Sequence, residues 1–438
     1  MAIEVQSFKL DNGMQVLVVP DSRAPVVTHS VWYKVGAMDE VAGKTGLAHM
    51  TEHLMFKGTE RFTGDDWNKI VQRRGGVQNA FTSYDFTAYY QKVPVTELPM
   101  MMDLESDRMA NLRLTDPVFQ PERKVVAEER KLTTDSDPND RFFEEVMRRH
   151  YAHHTYGHPV IGWAKDIQGY TFQDALDWYH LHYAPNNATM ILVGNVTADS
   201  VKPLVEKYYG GLKPAAVPLR VLPVEPLRDS ALTFIKLDPQ VQVPGWHLMY
   251  RAPSQFQGVG GAAVVPHEAT GLWVLSEILG GGSTARLYQQ LVVKQQLADG
   301  AQAQYDAVRA GESTFDISVQ PKDSVAADKI GPAVRATLDD LLEHGVTAEE
   351  LARAKVSLKA DEIYARDDPF TNMYRLGMWV SAGGDIKHFD DWLAELDKLT
   401  VADVNALAKK YLKPESSTLA ILAGKQKQLG NLKTTVDQ

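Results

Sequence analysis

Two hydrophobic rhythms alternate along this chain. Short runs rich in β-branched and aromatic residues, such as MQVLVV (14–19) and FTAYYQKV (86–93), predict strands. Segments such as TGDDWNKIVQRRG (63–75) predict helices. The fullest signal starts at Thr171, where TFQDALDWYHLHYAPNNATMILVGN opens with a T-x-x-D capping box and runs as an amphipathic helix. It stops at proline and continues into an apolar strand ending in glycine. TVADVNALAKKYLKPESSTLAILAGK, from Thr400, follows the same plan. Thr171, Asp174, Pro185 and Thr189 reappear at one constant offset as Thr400, Asp403, Pro414 and Thr418, which points to an internal duplication. Between the two units GLKPAAVPLRVLPVEPLR (211–228) places Pro214, Pro218, Pro223 and Pro226 in an extended, stiff stretch that reads as a linker. The expected organisation is a first domain over 1–213, a Pro-rich linker over 214–228 and a homologous second domain over 229–438. The expected fold class is α+β, each half a largely antiparallel sheet with helices packed on it.

Composition narrows the function classes. The 438 residues exceed one ordinary core, and 44% hydrophobic with 23% charged residues is a soluble globular balance. A net charge of -10 argues against nucleic-acid binding, which needs clustered Lys and Arg; Arg73-Arg74 and Arg148-Arg149 are isolated pairs. No apolar run is long enough to span a bilayer. The absence of cysteine removes disulfides and thiolate ligands, so a metal must be held by His and carboxylates. It leaves cytosol and periplasm equally open. MAIEVQSFKLDNG has neither a basic nor an apolar signal region, so the chain as given carries no export signal.

Candidate chemistry concentrates in GLAHMTEHLMFKGT (46–59). On a helix His49 and His53 lie on one face and can offer both imidazoles to one ion, while Glu52 sits beside that face and can address a water without being a ligand. Zinc suits imidazole and carboxylate donors together, and three protein ligands leave one position open. PERKVVAEERK, from Pro121, supplies carboxylates. Pro121 suits the first position of a helix, and Glu122, Val125, Val126 and Glu129 then fall on one stripe. Carboxylates on an apolar stripe need a partner, either a metal and its ligands or a lysine or arginine. Glu128 points about 100° away from Glu129 and is expected to face solvent or a neighbouring helix.

These residues resemble the pitrilysin and mitochondrial processing peptidase family of zinc metallopeptidases, the inverzincins. GLAHMTEHLMFKGT is similar to the family's H-x-x-E-H helix. The resemblance implies one Zn²⁺ per chain on His49, His53 and Glu129, with Glu52 as general base and Glu122 as a second acidic group of the site. GGVQNAFTSYDFTAYY (75–90) resembles the family's edge strand, implying that Asn79, Ala80 and Phe81 line a peptide added as a further strand. HTYGHPVIGW (154–163) also resembles a family segment in which the histidines, here His154 and His158, are structural. The implied fold is two homologous halves arranged as a clamshell, and the implied reaction is peptide hydrolysis by a metal-activated water.

One feature of the family is missing. GGGSTARLYQQLVVKQQLADG (280–300) resembles the segment leading to an Arg and, seven residues on, a Tyr that reach the substrate. Aligned on Leu291, Lys294 and Leu297, those positions hold Val292 and Asp299, neither of which can donate a hydrogen bond to a carbonyl. Arg286 and Tyr288 are two apart and do not restore the pair. Gly280 to Gly282 lack the following G-K-[ST] of a phosphate loop and read as a hinge or loop. The expectation is therefore a zinc subunit that needs a homologous partner supplying the Arg and Tyr. Bacterial heterodimers of this kind are often exported, which favours the periplasm over the cytoplasm. The alternative is a structural or peptide-binding subunit of the same fold without catalysis.

Overall fold

The computed structural model describes residues 3–435, the side chains of residues 65 and 266 excepted. It contains two sheets, each with its own buried core. The first orders its strands β1 (Gln6–Lys9), β2 (Gln15–Pro20), β6 (Ala188–Gly194), β3 (Val26–Tyr33), β5 (Thr87–Pro94) and β4 (Val77–Thr82). The second orders β7 (Leu232–Leu237), β11 (Ser417–Ala423), β8 (Gly245–Ala252), β10 (Ser313–Pro321) and β9 (Ala298–Tyr305). With β1 set aside, the two orders coincide strand for strand. So do the directions: β6 is parallel to β2 as β11 is to β7, and every other pair is antiparallel. This is the α+β architecture with a repeated unit that the sequence pattern predicts.

The repeated helices begin as expected. Thr171 and Asp174, and again Thr400 and Asp403, exchange side-chain and backbone hydrogen bonds as capping boxes. The strands that follow, β6 and β11, are central, and β6 is buried on both faces, so both read as nearly continuous apolar runs.

The compact units do not divide simply at the linker. One comprises residues 1–132, 158–221 and 364–389; the other comprises 133–157, 222–363 and 390–438. The helix Pro369–Ala382, from late in the chain, thus packs on the first sheet. Gly377 approaches the buried Trp32 of β3 so closely that a Cβ would lie 2.2 Å from the indole. The helix Pro138–His150 belongs in turn to the second unit, where Phe142 stacks on Phe234 of β7 at 5.3 Å. The linker's Arg220 holds Asp39 through two hydrogen bonds within the first unit.

In the second unit Gly280 is not part of a loose loop. It ends the helix Pro266–Gly280 against β9, where a Cβ would fall 1.8 Å from the Ala303 nitrogen. Among the described residues no helix is long and apolar enough to cross a membrane.

Candidate active site

The short helix α1 (Leu47–Leu54) carries His49, Glu52 and His53. Its entry is fixed by two carboxylates. Glu40, buried, accepts from the Gly46 and Ala48 nitrogens at 2.8 Å each, and Asp166 accepts from the Thr45 hydroxyl at 2.7 Å. Gly46 has φ +89° and packs against Ile161, whose carbonyl oxygen would lie 2.5 Å from a Cβ, so glycine is required there. Oxygen acceptors at a helix N-terminus satisfy its free N–H groups and complement its dipole.

After α2 (Gly64–Arg73) and α3 (Leu98–Asn111), α4 (Asp116–Arg130) brings up the carboxylates. It starts earlier than the position of Pro121 suggests. Thr115 precedes it and Pro117 occupies the first turn, so Pro121 lies inside the helix. The expected stripe is correspondingly narrower: Glu122 and Val126 are buried, Glu129 is half-buried, and Val125 is 49% exposed. Glu128 faces solvent, 3.6 Å from Lys131.

The helices α1 and α4 bring His49, His53 and Glu129 together, with one donor atom from each within 4.8 Å of the others. Glu129 lies 3.1 Å from His53 Nε2 and 3.8 Å from His49 Nε2. Donors held about 2.0–2.2 Å from a tetrahedral zinc are separated by about 3.4 Å, so these spacings, with a His₂Glu donor set, fit that ion. No other such cluster of metal-capable side chains occurs among the described residues, and His154 and His158 join none.

The two histidines differ in protonation, and only His49 is held in the neutral form that a metal ligand requires. Burial, together with the nearby His53, holds His49 neutral, its pKa lowered to about 3. Burial also disfavours charge on His53, but the Glu122 hydrogen bond and the charges of Glu129, Glu122 and Glu52 outweigh it and raise its pKa. Glu122 Oε1 accepts a hydrogen bond from His53 Nδ1–H at 2.9 Å and also pairs with Lys57. Despite its burial, these two contacts hold the Glu122 carboxyl below its ordinary range. The hydrogen bond fixes the tautomer and leaves His53 Nε2 facing Glu129. His49 Nδ1, by contrast, is buried without a hydrogen-bond partner.

Glu52 is not one of the three clustered residues. Its Oε2 accepts from the hydroxyl of Thr82 at the end of β4, and burial raises its pKa. Strand β4 is the sheet's edge, pairing with β5 alone, with Asn79 opposite Tyr90, Ala80 opposite Tyr89 and Phe81 opposite Ala88. Gln78 and Thr82 turn to the helices, bonding Trp67 and Glu52, so Ala80 between them shares that face. Phe81 points to the other face, 5.4 Å from Tyr374. Thr82, Glu40 and Lys57 are site residues that the sequence reading passed over. Lys57 stands four after His53 in the same motif, and Thr82 two after Ala80 on the same strand face.

In the second unit Val292 is half-buried, packed against the core, and Asp299 is exposed at the start of β9. Arg286 is engaged by Glu350 through two hydrogen bonds of 2.7 and 2.8 Å and by the Gly345 carbonyl. The helix Pro266–Gly280 contains Gly271-Leu272, Glu277 and Leu279 at the spacing of Gly46-Leu47, Glu52 and Leu54, but Val274 and Ile278 stand where α1 has histidines. The repeat has therefore kept the helix without the imidazoles.

A family model described as insulinase (peptidase family M16) matches residues 15–163, and one described as the peptidase M16 inactive domain matches residues 169–358. The chain is 32% identical over 421 residues to the zinc protease PqqE of Helicobacter pylori, covering 95% of this chain and 92% of that one. It is 28% identical over 431 residues to an uncharacterized zinc protease of Streptomyces coelicolor, covering 96% and 91%. The solved structure of a protease from Helicobacter pylori matches with TM-score 0.87 at 32% identity, over 96% of this chain and 100% of that one. The periplasmic protease PqqL of Escherichia coli matches in fold, with TM-score 0.83 at 20% identity, over 99% of this chain and 51% of that one.

Proposed function

This chain belongs to peptidase family M16, and from that premise we propose that it is a zinc-dependent endopeptidase acting on peptides or short unfolded segments. The observation that carries the reading is the convergence of His49, His53 and Glu129 beside a Glu52 that is left out of the cluster. Bound there, zinc would supply a Lewis acid for water activation and for charge developing on the peptide carbonyl.

The protein's own groups do the rest. Glu52 accepts a proton from the attacking water and delivers one to the leaving amine nitrogen. The Thr82 hydroxyl occupies one Glu52 oxygen and leaves the other for that transfer. Burial makes Glu52 a stronger base than an exposed carboxylate. Glu122 acts through His53, whose ring it orients, and is a positioning residue. The peptide adds to the free edge of β4 along Asn79, Ala80 and Phe81 by backbone hydrogen bonds, which gives affinity with little sequence selectivity.

The chain also lacks donors at Val292 and Asp299, and Arg286 is committed to Glu350. We propose that a homologous subunit carrying an Arg and a Tyr completes the site, this chain being the zinc subunit of a heterodimer. The test is zinc content by atomic absorption with peptide cleavage, for the native chain and Glu52→Gln, each with and without such a homologue. One zinc in both forms, and cleavage that Glu52→Gln abolishes, is expected. A chain that binds no zinc and cleaves nothing even with the homologue is a scaffold instead. Full turnover by the single chain removes the partner from the reading.

A further inference from the structure

Strand β4 has two faces, and only one of them looks toward the candidate zinc ligands. Gln78 and Thr82 bond to Trp67 and Glu52 on that side. Val77 and Phe81 project from the opposite side, where Val77 is 60% exposed. There Phe81 lies 5.4 Å from Tyr374 and 6.1 Å from Tyr90. Tyr90 in turn meets Phe370 at 5.3 Å, and Phe370, in the first turn of the helix Pro369–Ala382, is 42% exposed. An aromatic surface of Phe81, Tyr90, Tyr374 and Phe370 thus reaches from the edge strand onto the N-terminal turn of the helix that covers it, with the polar Asn79 and Lys92 between it and Val77.

Large apolar side chains left open beside an unpaired edge mark a surface that something covers. The geometry of strand addition says what that is. A peptide paired to β4 has side chains that alternate between the two sheet faces, those on one face opposing Val77, Asn79 and Phe81. We propose that this surface is a specificity subsite for the substrate: it receives every second side chain of the bound peptide and selects aliphatic or aromatic ones. The inference rests on the peptide-addition reading above and deepens it from non-selective main-chain pairing to a preference for amphipathic, strand-forming peptides. Because neighbouring residues of a strand face opposite ways, one of the two residues flanking the cleaved bond lies on the apolar face. The other faces Glu52. Selectivity should therefore appear on one flank of the bond and recur with a period of two.

Binding to the Glu52→Gln chain, together with any partner subunit the native chain requires, tests this without requiring turnover. Two octapeptides of identical composition are compared by calorimetry, one alternating valine and threonine, the other carrying the four valines as one block and the four threonines as another. The alternating peptide can place all its valines on one face, whereas the blocked peptide cannot in any register. It should bind at least about tenfold more tightly, the gain of about two partly buried valines. Phe370→Ala and Val77→Ser, both at exposed positions, should each reduce that ratio, and together bring it near one. Equal affinities for the two peptides, or a ratio unchanged in the double variant, overturn the subsite while leaving strand addition standing. Binding of neither peptide overturns strand addition along with it.

Discussion

Thr82, the last residue of the edge strand, donates its hydroxyl hydrogen to Glu52 on α1. The strand proposed to hold the peptide and the carboxylate proposed to move the proton are thereby joined by one hydrogen bond. Thr82→Val keeps the shape and removes the donor. It is expected to lower kcat about tenfold with little change in KM, since what is lost is orientation of the base and not peptide binding. Thr82→Ser should restore most of the rate. Steady-state kinetics of the two variants, measured with any partner the native chain requires, decide it; equal loss in both would mean that Thr82 matters only for packing.

Glu122 and the three candidate ligands should separate in a zinc competition titration. His53→Ala removes a donor from the cluster, Glu129→Gln replaces a charged carboxylate donor with a weak neutral amide oxygen, and each should abolish stoichiometric zinc. Glu122→Gln removes the charge that orients His53 and should weaken zinc by about 10–100-fold without abolishing it. If Glu122→Gln matched Glu129→Gln, the distinction between ligand and positioning residue would be wrong.

Arg286 is expected to be structural. Its fork is filled by Glu350 at a largely buried position, so Arg286→Ala strips that carboxylate of its charged partner and leaves it only the Thr347 hydrogen bonds. A loss of about 3 kcal/mol of stability is expected, since breaking a buried pair leaves a charge unpaired. It should show as a lowered Tm, with peptide binding by the Glu52→Gln chain unchanged.

Acid should weaken the fold through its buried histidines. Burial lowers the pKa of His182 to about 4 and depresses those of His29 and His150 as well. A histidine held neutral in the fold but protonated near pH 6.5 when unfolded contributes stability that is complete above pH 6.5. That contribution is lost as pH falls from there toward the folded pKa. For His182 the loss at pH 5 is at most on the order of 2 kcal/mol, and nearer ~1 kcal/mol once discounted for the part of the ring that water reaches. Tm should drop between pH 7 and 5, and His182→Gln should reduce the drop. An equal pH dependence in the variant would clear His182 of the effect.

Much of this architecture can be read from local chemistry. Thr171 with Asp174, and Thr400 with Asp403, announce their helices because a capping box depends only on residues three apart. His49 and His53 share a face because helical spacing places them there. Helical spacing offers Glu122 and Glu129 alike as carboxylates of one stripe, and only the family resemblance selects Glu129 as the ligand, since its meeting with His53 depends on how α4 crosses α1. What escaped the sequence depends on distant packing or on competition between local signals. Pro121 looked like a helix start because nothing local says that Pro117 and Thr115 already supply one, and Val125 looked inward because its period fits. Glu40 and Thr82 are ordinary polar residues until folding brings α1 against them.

The contact between Gly377 and Trp32 reaches beyond packing. A fragment ended at residue 213, at the edge of the proline-rich stretch, would lose the helix that shields Trp32 and braces Phe81. The duplication therefore cannot be undone by cutting the gene at its apparent seam. Each copy has surrendered a helix to the other, and the chain has become one heritable piece, with its edge strand β4 dependent on residues encoded near the far end of the message.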